Sequence, residues 1–260
     1  MGLPMIRKSL AATALAVLIL TVFNSAHAAD IKILCASGMR EIVSELQPQL
    51  ERTSGQRVTV SFGEAGDLRK RMQDGEIADV VVLPRVVLDQ VMADGNVVPD
   101  TVVDLAQSSM GIGVRADAPK PDISTADGLK RALLAAKSIA TTDPASGGVA
   151  GVYIASVFQK LGIAEQLKPK LILTRGQRNA EFVAKGEADI AIQLSSEIRM
   201  VPGIEFIPLP TGFERTFVFS AALGSKARDA GASKATLQFL SGPDTTVVIR
   251  AKGMDPASRK

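Results

Sequence analysis

Histidine, cysteine and tryptophan are nearly missing from this 260-residue chain, which has one His (His27), one Cys (Cys35), one Tyr (Tyr153) and no Trp. A lone cysteine excludes a disulfide within the chain, and with a lone histidine it excludes a Cys/His zinc cluster. A His-based catalytic triad has no residues to draw on once His27 is removed, as argued below, so most hydrolase chemistry is out. An excess of one charge is missing too: 30 Lys+Arg stand against 27 Asp+Glu, a formal charge of +3. Subtracting Arg7 and Lys8 with the segment expected to be removed leaves 3 − 2 = +1. That balance offers nothing specific to a nucleic acid or an anionic membrane. There is no dinucleotide fingerprint and no phosphate loop with a Lys-Ser/Thr ending, so neither a cofactor nor a metal is expected. What is present, 46% hydrophobic and 22% charged residues, is the composition of a globular protein with one large domain or two small ones.

The first 28 residues have the parts of a secretory signal peptide. Arg7 and Lys8 precede an apolar stretch from Leu10 to Phe23, and Ala26-His27-Ala28 forms a small-x-small cleavage site. The apolar stretch is short for a membrane span. Cleavage is expected after Ala28, which places the mature protein in the periplasm and removes its only histidine. Acid–base chemistry then falls to carboxylates, lysines, Tyr153 or Cys35.

The remainder alternates strand-like and helix-like segments. Ile31 to Ala36 reads as a strand, and Ile42, Val43, Leu46 and Leu50 mark one helix face, closed by Ser54-Gly55. Arg57 to Phe62 is a second strand, Asp67 to Asp74 a helix, and Val80 to Leu83 an apolar run suited to a parallel strand covered on both faces. The pattern recurs from Met110 through the Asp143 to Gly148 turn, the Val152 to Leu161 helix, the Ala180 to Lys185 helix and Asp189 to Ile192. The strand Phe217 to Ala222 and two closing helices, Lys234 to Leu240 and Thr245 to Lys252, end it. Two α/β units result, with ligand crevices expected at the carboxyl ends of their strands.

Ala36-Ser37-Gly38-Met39, Ser61-Phe62-Gly63-Glu64-Ala65-Gly66-Asp67-Leu68, Asp74-Gly75-Glu76-Ile77-Ala78-Asp79-Val80, Phe239-Leu240-Ser241-Gly242-Pro243 and Ala251-Lys252-Gly253-Met254-Asp255-Pro256 follow one another over nearly the whole mature chain. In this order they resemble the periplasmic molybdate-binding proteins of ABC importers and their wider solute-binding family. The resemblance implies a type II two-lobed fold joined by crossing strands, with 29–112 plus 216–260 as lobe one and 113–215 as lobe two. A monomer that closes on a small anion by hinge motion, and delivers it to an importer's membrane subunit, is implied as well. The same wider family includes bacterial aconitate isomerase, which leaves a second reading open: a proton-shift isomerase on this scaffold, with Glu64 as the candidate base.

The turns support an anion site. Ser37, Gly38 and Met39 stand where a strand meets a helix and backbone N–H groups point outward. Gly66 occupies the equivalent turn after the second strand, and Ser146, Gly147, Gly148, Val149 and Ala150 form the turn of lobe two, where glycines permit close backbone approach. Ordinary helix capping explains such residues equally simply. The molybdate pattern is incomplete, because Gly66 stands for a hydroxyl residue and Gln193-Leu194 for a tyrosine. Arginines at strand ends (Arg40, Arg85, Arg175 and Arg178) instead suit planar carboxylates, which are therefore preferred over molybdate. Cys35 reads as a buried, inert thiol, and Tyr153 either faces the ligand or packs beneath the glycine turn.

Overall fold

The computed structural model describes residues 30–257. The expected signal peptide lies outside them. From the N-terminus run β1 (Ile31–Ala36), α1 (Arg40–Ser54), β2 (Val58–Gly63), α2 (Ala65–Gln73), β3 (Val80–Pro84) and α3 (Arg85–Ala93). The long β4 (Val103–Arg115) leads to α4 (Ala126–Ala135), β5 (Ile139–Thr142), α5 (Val149–Lys160), α6 (Ala164–Leu167), β6 (Leu171–Thr174) and α7 (Asn179–Ala184). Then come β7 (Ile190–Leu194), α8 (Ser195–Arg199), β8 (Ile204–Pro208), β9 (Thr216–Leu223), α9 (Ala230–Leu240), α10 (Pro243–Ala251) and β10 (Asp255–Pro256).

The strands lie in the order β2-β1-β3-β9-β4-β7-β5-β6, with β8 and β10 also pairing to β4. β1 is parallel to β2 and β3, and β5 is parallel to β6 and β7. These two parallel groups are joined by β4. Its Val103–Ser109 half pairs antiparallel with β9, while its Met110–Gly113 stretch pairs with β7 and its Gly111–Arg115 stretch with β8. A second crossing runs beside it, where Met110 N–H donates to Arg215 O at 2.7 Å. One strand, β4, is thus shared by the two sheets.

Why these residues form these elements is plain at the ends. All five residues of β3 are buried, as its uninterrupted apolar run demands. α1 buries Ile42, Val43, Leu46 and Leu50 and stops at Gly55, whose φ of 67° belongs to the left-handed region that glycine enters freely. Five elements are absent from the periodicity reading: α3, α8 and β8, and the very short α6 and β10. α3 and the five-residue α8 begin directly after a strand with no capping side chain to announce them, and β8 is a partly buried edge strand without clean alternation. The strand expected at Met110–Val114 is the second half of β4, because Asp104, Gln107, Ser108 and Ser109 break up the apolar pattern of the first.

Candidate functional site

The carboxyl ends of β1, β2, β5 and β7 meet at one small cavity, about 20 Å³, bounded by Ser37, Gly38, Glu64, Thr142, Ala150 and Glu197 among others. Each strand ends and a helical turn begins there: Ser37–Met39 after β1, α2 after Glu64, α5 after Gly148 and α8 after Leu194. The first-turn N–H groups of a helix have no partner within it, so α2 and α5 present donors and the positive ends of their dipoles. The Ser37 hydroxyl adds another donor. It is buried, lies close enough to Glu64 to lower that group's pKa, and makes no well-formed hydrogen bond.

The lobes touch through backbone. Gly66 N–H donates to Gly147 O at 3.2 Å, and Gly176 N–H donates to Glu64 Oε1 at 3.0 Å. A Cβ on Gly66 would lie 2.6 Å from the Gly147 Cα, and one on Gly148 would lie 2.3 Å from Glu64 Oε2. Gly147 itself has φ 69°. The glycines at these turns therefore let the main chains approach this closely, and Gly66 stands where a hydroxyl side chain would have no room. Glu64 reaches across the cleft, where its carboxylate accepts from Gly176 N–H.

Two carboxyl groups face this cavity. Burial pushes the Glu64 carboxyl above its usual range and the nearby Asp67 adds to this, while Gly176 N–H, Ser37 and Arg40 oppose it. Glu197, not singled out by the sequence, is pushed up to about 8 by burial and then by the charge of Glu64, against Leu194 N–H, Gln193 and Arg178. No other charged side chain lines the cavity. A carboxyl one turn past a strand, on the helix after Gln193-Leu194, was the available signal for Glu197, but a five-residue helix has too few positions to show which side faces the crevice.

The expected arginines divide. Arg40 stacks over the Phe62 ring, 4.5 Å from its centroid, and Arg178 pairs with Glu41 across the cleft. Both line a second cavity next to the first. Arg85 is held by Asp89 at 2.7 Å and Asp104 at 3.3 Å, and Arg175 by Asp143 at 2.9 Å; neither lines either cavity.

The remaining residues are placed as follows. Val149 and Ala150 line the central cavity from the start of α5. Met39 is buried in the core, and the Ser146 hydroxyl donates to Asp143 O at 2.6 Å. Gln193 is buried behind Leu194, where Oε1 accepts from Asn179 N–H and Nε2 donates to Gln177 O. Tyr153 donates to Phe213 O at 2.9 Å and lines a separate, larger cavity of about 510 Å³ together with Gly66 and Gly147. Burial drives the Cys35 thiol pKa far upward, leaving it unreactive. Among the described residues no group of three or more His, Cys, Asp or Glu side chains is arranged to hold a metal, and no helix is long and apolar enough to cross a membrane.

Residues 31–255 match the family model of bacterial extracellular solute-binding proteins. The chain belongs to this family. Within it, the chain is 32% identical over 231 residues to an aconitate isomerase of Pseudomonas sp., covering 86% of this chain and 87% of that one. It is 25% identical over 244 residues to a molybdate-binding protein of Azotobacter vinelandii, covering 88% and 91%. The solved structure of the Azotobacter vinelandii periplasmic molybdate-binding protein superposes with a TM-score of 0.70 at 17% identity, over 89% of this chain and 100% of that one. The fold of this solute-binding protein is thus the two-lobed type II architecture expected from its sequence.

Proposed function

We propose that this solute-binding protein binds an unsaturated tricarboxylate and isomerises it by a proton shift, as an aconitate isomerase. The observation that carries the reading is the pair Glu64 and Glu197 facing one small cavity. A cleft that only held an anion would gain nothing from two carboxyl groups, whereas a proton-shift site needs a group that exchanges a proton near neutrality. The 32% identity to the Pseudomonas aconitate isomerase, over most of both chains, supports it independently. This departs from the reading weighted first on sequence alone, a carrier serving an importer.

The step balances without a cofactor. Glu64 takes a proton from the CH₂ carbon next to the double bond; the C–H electrons form the new C=C, the old C=C electrons pass to its far carbon, and Glu64 returns the proton there, which restores its carboxylate. In aconitate this moves the double bond by one carbon and interchanges the cis and trans forms. Negative charge develops on the carboxylate attached to the far carbon. It would be met by the Ser37 hydroxyl, by the N–H groups at the start of α5, and by Glu197, which at neutral pH keeps its proton and donates a hydrogen bond. Closure of the lobes excludes water from the reaction. On this reading the protein works as a periplasmic monomer, and carboxylates bind in preference to molybdate.

The test is to incubate mature protein with trans-aconitate in D₂O and follow the cis isomer and deuterium incorporation by NMR. Conversion is expected, with Glu64→Gln slowing it by ~10²- to 10⁴-fold while affecting binding far less. Binding without conversion or exchange over a day would return the protein to the carrier reading. Conversion undiminished in Glu64→Gln would keep the enzyme and discard this base.

A further inference from the structure

The second cavity, about 30 Å³, shares Ser37, Gly38 and Glu197 with the central one. Their charges differ sharply. The central cavity is lined by carboxyl groups and backbone donors with no cationic side chain, whereas Arg40, Arg178 and Lys252 all border the second. Among the described residues Arg40 makes no ion pair: it lies over the Phe62 ring, and its charge reaches Glu64 at longer range. Arg178 is satisfied by Glu41 from the other lobe and, more loosely, by Glu181 at 3.5 Å. Lys252 is held by Glu45 at 2.5 Å.

A ligand with several carboxylates cannot place them all beside Glu64 and Glu197. One must find cations, and the adjoining chamber has them at the correct side of a shared wall. Glu41 already puts a carboxylate oxygen on Arg178 Nη2, so the guanidinium is placed where it meets such a group.

We propose that this second cavity is a carboxylate subsite, in which Arg40 and Arg178 take one carboxylate of a di- or tricarboxylate and Glu41 is the resident carboxylate displaced from Arg178. The proposal rests on the reading that the cleft takes a polycarboxylate. It also orients that ligand: one terminal carboxylate points to Arg40 and Arg178, and the carbon skeleton lies toward Glu64. Because both cavities are small, the ligand enters as the lobes part and Glu41 leaves Arg178 in the same motion.

The probe is tricarballylate, the saturated tricarboxylate, which binds but has no double bond to move. Titration calorimetry on the mature protein compares wild type with Glu41→Gln, Arg178→Ala and Arg178→Lys, each checked for an unchanged melting transition. Glu41→Gln frees Arg178 and should tighten tricarballylate binding by about threefold or more, while Arg178→Ala weakens it by about tenfold or more and Arg178→Lys by an intermediate factor. If the Glu41–Arg178 pair is merely a latch holding the lobes shut, Glu41→Gln will instead leave affinity unchanged or weaken it, and the subsite is overturned. A wild-type protein that does not bind tricarballylate overturns it as well. Tight binding with the expected variant pattern but no aconitate turnover would sink the isomerase and leave the subsite standing.

Discussion

Replacing Gly66 by alanine separates closure from folding. Gly66 is the second residue of α2 and its φ is not in the left-handed region, so alanine suits the backbone and should add up to about 1 kcal/mol of helix stability. The new Cβ would nevertheless stand 2.6 Å from Gly147 Cα and 3.0 Å from Ser146 O, both main-chain atoms that cannot rotate away. Relieving the first contact to 3.4 Å requires the lobes to part by about 0.8 Å. That lengthens the 3.2 Å Gly66–Gly147 hydrogen bond and pulls Gly176 from Glu64. Overpacking of this kind costs about 1–3 kcal/mol, here charged to the closed state alone. Binding coupled to closure should weaken by about 5- to 150-fold. Turnover should fall further, because ~1 Å of misplacement can cost ~10²-fold in rate. Thermal melting of the ligand-free protein, calorimetry with tricarballylate and NMR turnover assays measure the three effects. Wild-type affinity and turnover in a normally folded Gly66→Ala would show that the lobes need not meet at Gly147, and would refute the reasoning.

Further outcomes follow from other residues. The raised pKa of Glu197 means that the folded state holds its proton where the unfolded state has lost it, so the stability it adds is present below about pH 4.5 and is lost as the pH rises toward about 8. Urea unfolding of the ligand-free protein between pH 5 and pH 8 should show this decline, at up to about 1.4 kcal/mol per pH unit, and Glu197→Gln should flatten it; equal slopes would contradict the burial argument. Asp79 is fully buried and accepts from Lys32 N–H, Arg228 N–H and the Arg228 guanidinium at 2.7–2.8 Å, so Asp79→Ala should lower unfolding stability by about 3 kcal/mol and leave ligand affinity unchanged. A loss under about 1 kcal/mol would mean that water replaces the carboxylate.

Local chemistry along the chain was enough for most of the scaffold. The buried run Val80–Leu83, the α1 stripe of Ile42, Val43, Leu46 and Leu50, and the left-handed stop at Gly55 are near-neighbour patterns, and each is found as read. The strand-to-helix turns at Ser37, Glu64 and Gly148 were legible for the same reason, since a turn and the helix it starts lie within a few residues. Tertiary structure decided the rest. Whether an arginine serves a cleft depends on carboxylates distant in sequence: Asp104 helps draw Arg85 away, 19 residues on, while Glu41 draws Arg178 toward the cleft from the other lobe. The role of Gly66 depends on Gly147, 81 residues later, a contact that only the folded chain brings about. The carboxyl of Glu197 becomes special only because burial and Glu64 meet it in one cavity, and the desolvation that raises its pKa belongs to the folded cleft, not to any stretch of sequence.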